Sequence, residues 1–228
     1  MILTEEQILQ DEEKLEEVFE CLRNGGVIIY PTETVYGLGG ALSSNNATEK
    51  IFALKTRESS LALLSIAYDL RQAESFARFR FELEYDLFHR FGEKGMTVLL
   101  DARPFVSSRV RGGTTTLGIR LASTELCKLF TEKLAEPITS TMASLSNRLT
   151  PDIQAGEVIP RKLTDVPASL IAQVDFAIDG GTLSDSLPST LVRVESENRI
   201  ILYREGVVVK KDLEESFGVE VDDTQESR

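Results

Sequence analysis

Apolar residues recur at helical spacing early in the chain, with Ile8, Leu15, Val18, Phe19 and Leu22 on one face. Thr4, with Gln7 three residues on, reads as a capping box opening this helix, and Gly25-Gly26 stops it. The period changes at 27–30, a short apolar run that predicts a strand. Asn45 or Asn46 caps a second helix through Ile51, Phe52 and Leu54, ending near Lys55. Residues 61–67 (LALLSIA) read as a strand buried on both faces. Helices are expected near 69–78 and 82–91, and strands at 96–100 and 117–121. Between those strands lies a loop rich in Arg, Gly and Thr. Thr124 caps a helix to about Leu134, and Pro137 to Ala143 begins a strand. Residues 150–173 are mixed, with prolines at 151, 160 and 167. Late strands are expected at 174–178, 190–195 and 199–204. The segment from Asp212 is expected to keep a helical turn and then fray.

Strands alternating with helices place the chain in the α/β class, and late strands without intervening helices make the sheet mixed. No linker stands out, so 1–211 reads as one domain and 212–228 as an acidic tail. The chain has 228 residues, 42% of them hydrophobic, enough for a sizeable core. No solenoid repeat, signal peptide or apolar run of transmembrane length is seen, which predicts a cytoplasmic protein without a membrane partner. Cys21 and Cys127 fall on apolar helix faces and read as buried free thiols of a reducing compartment. There is no CxxC motif, and His89 is the sole histidine, so a zinc or Ser-His-Asp site is not expected.

The formal charge of −12 is uneven. Residues 1–20 carry net −7 and residues 212–228 net −6, leaving +1 on the rest. The central body can therefore hold a basic cleft despite the overall acidity.

The segment GGVIIYPTETVYGLGG (25–40), followed by Lys55-Thr56-Arg57, carries the densest candidate chemistry. An apolar run breaks at a proline into hydroxyls, one carboxylate and glycines, and two cations follow the next helix. There is no Walker A motif and no GxGxxG fingerprint, so a bound nucleotide would need other cations. Lys55, Arg57, Arg109, Arg111, Arg120, Arg148 and Arg204 are the candidates, with ordinary surface charge as the alternative for each. Pro31-Thr32-Glu33-Thr34 is either a turn whose hydroxyls satisfy backbone groups or a platform for a small polar ligand. Glu33 is either solvated or oriented toward a cation or a substrate amine. Ser189 can cap backbone or meet a phosphate oxygen. Arg204, beside Glu205-Gly206, can reach a ligand or pair locally.

Together these segments resemble the YrdC/YciO family of threonylcarbamoyl-AMP synthases. GGVIIYPTETVYGLG is the most specific match. KTR is similar to the family's KxR, TTTLGIRLAS to its strand with a ligand-binding Arg, and EPITST to the start of its Ser-Ala-Asn strand. DFAIDGGTLSDSLPSTLVRV and ILYREGVV resemble its closing DGG, ST and REG elements. The resemblance spans about Gly25 to Gly206 and looks like the short, single-domain form. It implies a twisted open mixed sheet with flanking helices and a large concave cleft. It also implies condensation of L-threonine, bicarbonate and ATP, with Mg2+, to threonylcarbamoyl-AMP and pyrophosphate, for threonylcarbamoyladenosine formation in tRNA. Carried over by motif, Lys55 and Arg57 act at the ATP phosphates, and Thr116, Ser144 and Arg204 join the nucleotide site. Thr32, Arg120 and Ser189 bind threonine, with Arg120 on its carboxylate. The implied partners extend to tRNA or double-stranded RNA and the threonylcarbamoyl-transfer complex.

The chain departs from the family pattern in three places. Glu58, Leu61 and Ile66 stand where the family has Pro, Asn and His. Met142-Ala143-Ser144 stands at its Ser-x-Asn, with Ser146-Asn147 as an offset pair. Glu93-Lys94-Gly95 replaces its Pro-Gly loop. Beside the synthase, the sequence therefore leaves open a non-catalytic member that binds RNA or nucleotide, or one that binds a protein partner through its acidic ends.

Overall fold

A computed structural model describes residues 1–55, 61–145, 158–184 and 187–224. In chain order the elements are β1 (Ile2–Thr4), α1 (Glu5–Gln10), α2 (Glu12–Arg23), β2 (Ile28–Tyr30), β3 (Gly37–Gly39) and α3 (Asn45–Leu54). Then come β4 (Leu64–Ala67), α4 (Leu70–Phe76), β5 (Ala77–Arg78), α5 (Glu82–Phe91), β6 (Met96–Ala102), β7 (Thr116–Leu121) and α6 (Glu125–Leu134). The chain continues with β8 (Ile138–Met142), α7 (Ala168–Ile171), β9 (Phe176–Asp179), β10 (Thr190–Ser196), β11 (Arg199–Arg204), α8 (Lys210–Phe217) and β12 (Glu220–Asp223).

The strands form one mixed sheet in the order β1-β9-β2-β3-β8-β4-β7-β6-β10-β11-β12, with β5 paired to β6. Alternation along the strands sorts side chains to two faces. Ile29, Leu38, Ala67, Val98, Leu100, Ile119, Val192 and Leu202 face a layer made by α3, α4, α5 and α8. Ile28, Tyr30, Ile66, Ile138 and Ile178 face α1, α2 and α6. On that second face the buried cluster does not extend over β6, β10 and β11. Leu99, Asp101, Arg193, Ile201 and Tyr203 lie there half-buried. The result is a twisted, open, mixed sheet with flanking helices. No described helix is long and apolar enough to cross a membrane.

The structure corrects several expectations. The first helix is two helices: Asp11, in extended backbone, ends α1 and accepts from Glu13 and Lys14 to begin α2. The capping box at Thr4 forms as expected, but a short strand, β1, precedes it. Strand β3 lies inside the glycine-rich segment after the proline, where no strand was expected. A Cβ on Gly39 would sit 1.8 Å from the Thr139 carbonyl, so glycine is what lets β3 pack there. The strand expected at 61–67 is narrower, 64–67. Cys127 is buried, but Cys21 is only half-buried; both are free. The boundary drawn at 211/212 falls inside α8, which supplies the helical turn expected from Asp212, and the segment expected to fray after it forms β12, which pairs in parallel with β11.

Candidate ligand-binding site

The turn after β2 organises one wall. Thr32 is 1% exposed, and its hydroxyl donates to the Val35 carbonyl at 2.7 Å while accepting from the Thr34 and Val35 amides. Its hydroxyl is therefore spent on the turn, the plainer of the two readings of this segment. What the turn presents is Glu33 and Thr34. Arg120, near the end of β7 and 6% exposed, donates through Nη1 to Glu33 Oε1 at 2.7 Å and to Thr34 Oγ1 at 3.1 Å.

Gly95 sits beneath this pair at φ +79°, where a Cβ would meet Val207 at 2.8 Å and Thr34 at 3.1 Å. Only a residue without a side chain lets the three segments close together.

The second wall is built by β6, β10 and β11. The hydroxyl of Ser189, 5% exposed, accepts from Thr97 Oγ1 at 2.9 Å and from Arg204 Nη2 at 2.8 Å. Arg204 Nε donates to the Ser189 carbonyl, also at 2.8 Å. Desolvation, followed by the positive charge of Arg120, lowers the Arg204 guanidinium to about 10. At neutral pH it remains charged. Two guanidiniums thus share one electrostatic neighbourhood, and Glu33 is the carboxylate paired with Arg120 among the described residues.

Lys55 lies elsewhere along the sheet. It is 1% exposed, and Nζ donates to the carbonyls of Met142 at 2.7 Å and Ser144 at 2.9 Å, where β8 ends. Ser144 is 7% exposed, and its hydroxyl has no hydrogen-bond partner among the described residues. Thr116 is four residues before Arg120 on β7, roughly 13 Å along the strand. Its hydroxyl lies 3.3 Å from that of Thr114. The structure therefore groups Arg120, Ser189 and Arg204 and sets Lys55 with Ser144; Thr116 stands at the far end of Arg120's strand. Arg57, Ser146, Asn147 and Arg148 lie outside the described residues.

Other candidate cations are used structurally. Arg109 pairs with Glu49 at 2.9 Å and stacks on Phe52, and Arg111 donates to the carbonyls of Val106 and Thr114. Sequence reasoning missed Thr97. Period two in Met96-Thr97-Val98 places it on the face away from its apolar neighbours, a signal that was present but unspecific. Among the described residues no group of three or more His, Cys, Asp and Glu could hold a metal.

The open α/β sheet gathers two arginines and a serine between a strand-end turn and the late strands. The sequence model of the Sua5/YciO/YrdC family, described as "Telomere recombination", matches residues 20–206, and the chain belongs to this family. It is 27% identical over 214 residues to the threonylcarbamoyl-AMP synthase of Bacillus subtilis, covering 93% of this chain and 59% of that protein. It is also 27% identical over 194 residues to YciO of Escherichia coli, covering 85% and 89%. The crystal structure of P. abyssi Sua5 complexed with L-threonine superposes with a TM-score of 0.82 at 25% identity, covering 92% of this chain and 59% of that one. The chain thus spans about three fifths of the length of the Bacillus protein.

Proposed function

We propose that this protein is a cytoplasmic threonylcarbamoyl-AMP synthase, condensing L-threonine, bicarbonate and ATP and releasing pyrophosphate. The observation that carries this reading is that Arg120, held by Glu33 of the PTET turn, and Arg204, held on Ser189, are buried close enough for the charge of one to act on the other. The reaction has a carbamate attack the α-phosphate, so negative charge spreads over the reacting centre. Fixed guanidiniums in a desolvated site stabilise that charge without reorganising. No covalent nucleophile is required by this reaction.

Lys55 and Arg57 are proposed to meet the ATP phosphates, and Ser144, Thr116 and Arg204 to complete the nucleotide side. The Ser144 hydroxyl, buried and without a partner among the described residues, is suited to accept such a contact. Two of the three Lys55 Nζ donors are held by the Met142 and Ser144 carbonyls. Mg2+ is proposed to enter as the ion that ATP carries. Its chemistry there is to neutralise the leaving pyrophosphate. The product would serve threonylcarbamoyladenosine formation in tRNA.

The test is pyrophosphate release by the full chain. Release that needs ATP, L-threonine and bicarbonate together is expected. Folded protein that binds ATP yet releases no pyrophosphate above background would replace the synthase with a nucleotide-binding relative.

A further inference from the structure

We propose that Glu33 determines specificity at this site by accepting the ammonium of an α-amino acid whose carboxylate lies on Arg120. The inference rests on the proposed assignment of this pocket to an amino acid substrate and adds a residue to it.

The Glu33–Arg120 pair commits only part of each side chain. Arg120 spends Nη1 on both of its contacts, to Glu33 Oε1 at 2.7 Å and Thr34 Oγ1 at 3.1 Å. Its Nε and Nη2 have no hydrogen-bond partner among the described residues, and neither is sealed from solvent. Glu33 spends Oε1 on Arg120, and its Oε2 is likewise unpartnered among the described residues and not sealed. The side chains are 7% and 17% exposed, so the pair sits in the wall rather than on the surface. A guanidinium edge and a carboxylate oxygen are therefore offered side by side, fixed to each other through their other atoms.

That combination complements a zwitterion. The planar guanidinium fork matches a carboxylate, and the adjacent oxygen matches an ammonium. A phosphate is the poorer ligand here, because it would meet the Glu33 charge. Glu33 thereby marks the amino-acid end of the site, distinct from the nucleotide end proposed at Arg204. It also gives the pocket a means of rejecting acids that lack the amine, since such a ligand would leave Oε2 desolvated and unpaired.

The experiment is calorimetric titration of the full chain with L-threonine and with 3-hydroxybutyrate, which keeps the carboxylate and hydroxyl but lacks the amine. The wild type should prefer threonine by about tenfold or more, the range of a charge-assisted hydrogen bond. Glu33→Gln should abolish that preference, with hydroxybutyrate binding at least as tightly as to the wild type. Glu33→Asp should restore part of it. Equal binding of the two ligands by the wild type would overturn the inference, independently of how any variant folds. So would binding of neither, or a Glu33→Gln variant that weakens both equally, which would make Glu33 a mere buttress for Arg120. Pyrophosphate release is scored separately. Threonine-dependent release without discrimination sinks the Glu33 role and spares the synthase; discrimination without release does the reverse.

Discussion

Arg204 holds Ser189 at two points, Nε on its carbonyl and Nη2 on its hydroxyl, each at 2.8 Å. A lysine in this place keeps a positive charge but has no planar fork to span both atoms. Arg204→Lys should therefore leave the fold nearly as stable and weaken ligand binding by about tenfold or more, the cost of a displaced charge-assisted bond. Titration with ATP and threonine, beside a thermal melt, checks this. Unchanged affinities would show that Arg204 serves only to brace the loop before β10.

The two carbonyls that Lys55 satisfies make it part of the fold as well as a candidate ligand contact. Lys55→Met removes both bonds; the Met142 carbonyl keeps the Ser144 amide at 2.8 Å, while the Ser144 carbonyl loses its lysine donor where the chain leaves β8. A loss of about 1–3 kcal/mol in urea unfolding is expected, the cost of one buried group left without its donor. A variant as stable as the wild type would mean that the charge contributes nothing to holding this strand end.

Glu84 predicts a pH effect. It is fully buried; Oε2 accepts from the amides of Arg80 and Phe81, while Oε1 has no partner among the described residues. Burial raises its carboxyl above the ordinary 4.5, against the smaller lowering by those amides and by Arg80, with Asp101 adding to the rise. The folded chain keeps the proton at pH values where the unfolded chain has released it. Stability is therefore lost as pH climbs from the ordinary carboxylate range through the raised value. Glu84→Gln keeps an acceptor and cannot ionise. Its stability relative to the wild type should rise between pH 4 and pH 8, read from urea midpoints at each pH. A constant offset would refute the assignment.

The extent to which the site was legible follows from what each residue's neighbours in sequence reveal. Arg120 lies at a fixed register of a strongly patterned strand, and its place in the site followed from the motif around it. Thr32 carried the same motif signal, yet its hydroxyl closes its own turn, a choice that depends on the local path of the backbone. The Asp11 break was hidden because the apolar stripe of α1 and α2 keeps helical spacing across it, while the cap acts through extended backbone. Strand β3 was hidden because its three residues, Gly37-Leu38-Gly39, have little strand propensity of their own and are held by Tyr30 and Thr139 from elsewhere in the sheet. The Lys55 contacts join residues 87 and 89 positions away, a separation that no local pattern encodes.

The C-terminal unit should matter through its apolar side rather than its ion pairs. Leu213 is fully buried, with Val219 and Val221 in the same core. Leu213→Ala should cost about 2–5 kcal/mol. Asp222→Asn, which removes the charge from a 2.6 Å pair with the solvent-exposed Arg199, should cost far less. Urea melts of the two variants give the ranking directly; the reverse order would mean that α8 and β12 are held on by charge.

The same strand has a consequence for how molecules of this protein meet one another. A sheet edge offers unpaired backbone groups to any passing chain, and long flat apolar edges invite fibrous stacking. Here the sheet ends in β1, three residues long, and in β12, four residues long and carrying Glu220, Asp222 and Asp223. An incoming copy would find too few amides to zip onto β1, and on β12 a short acidic strand repeating its own charge. The acidity of the chain's last residues thus helps to keep so wide a sheet from growing by recruiting its neighbours.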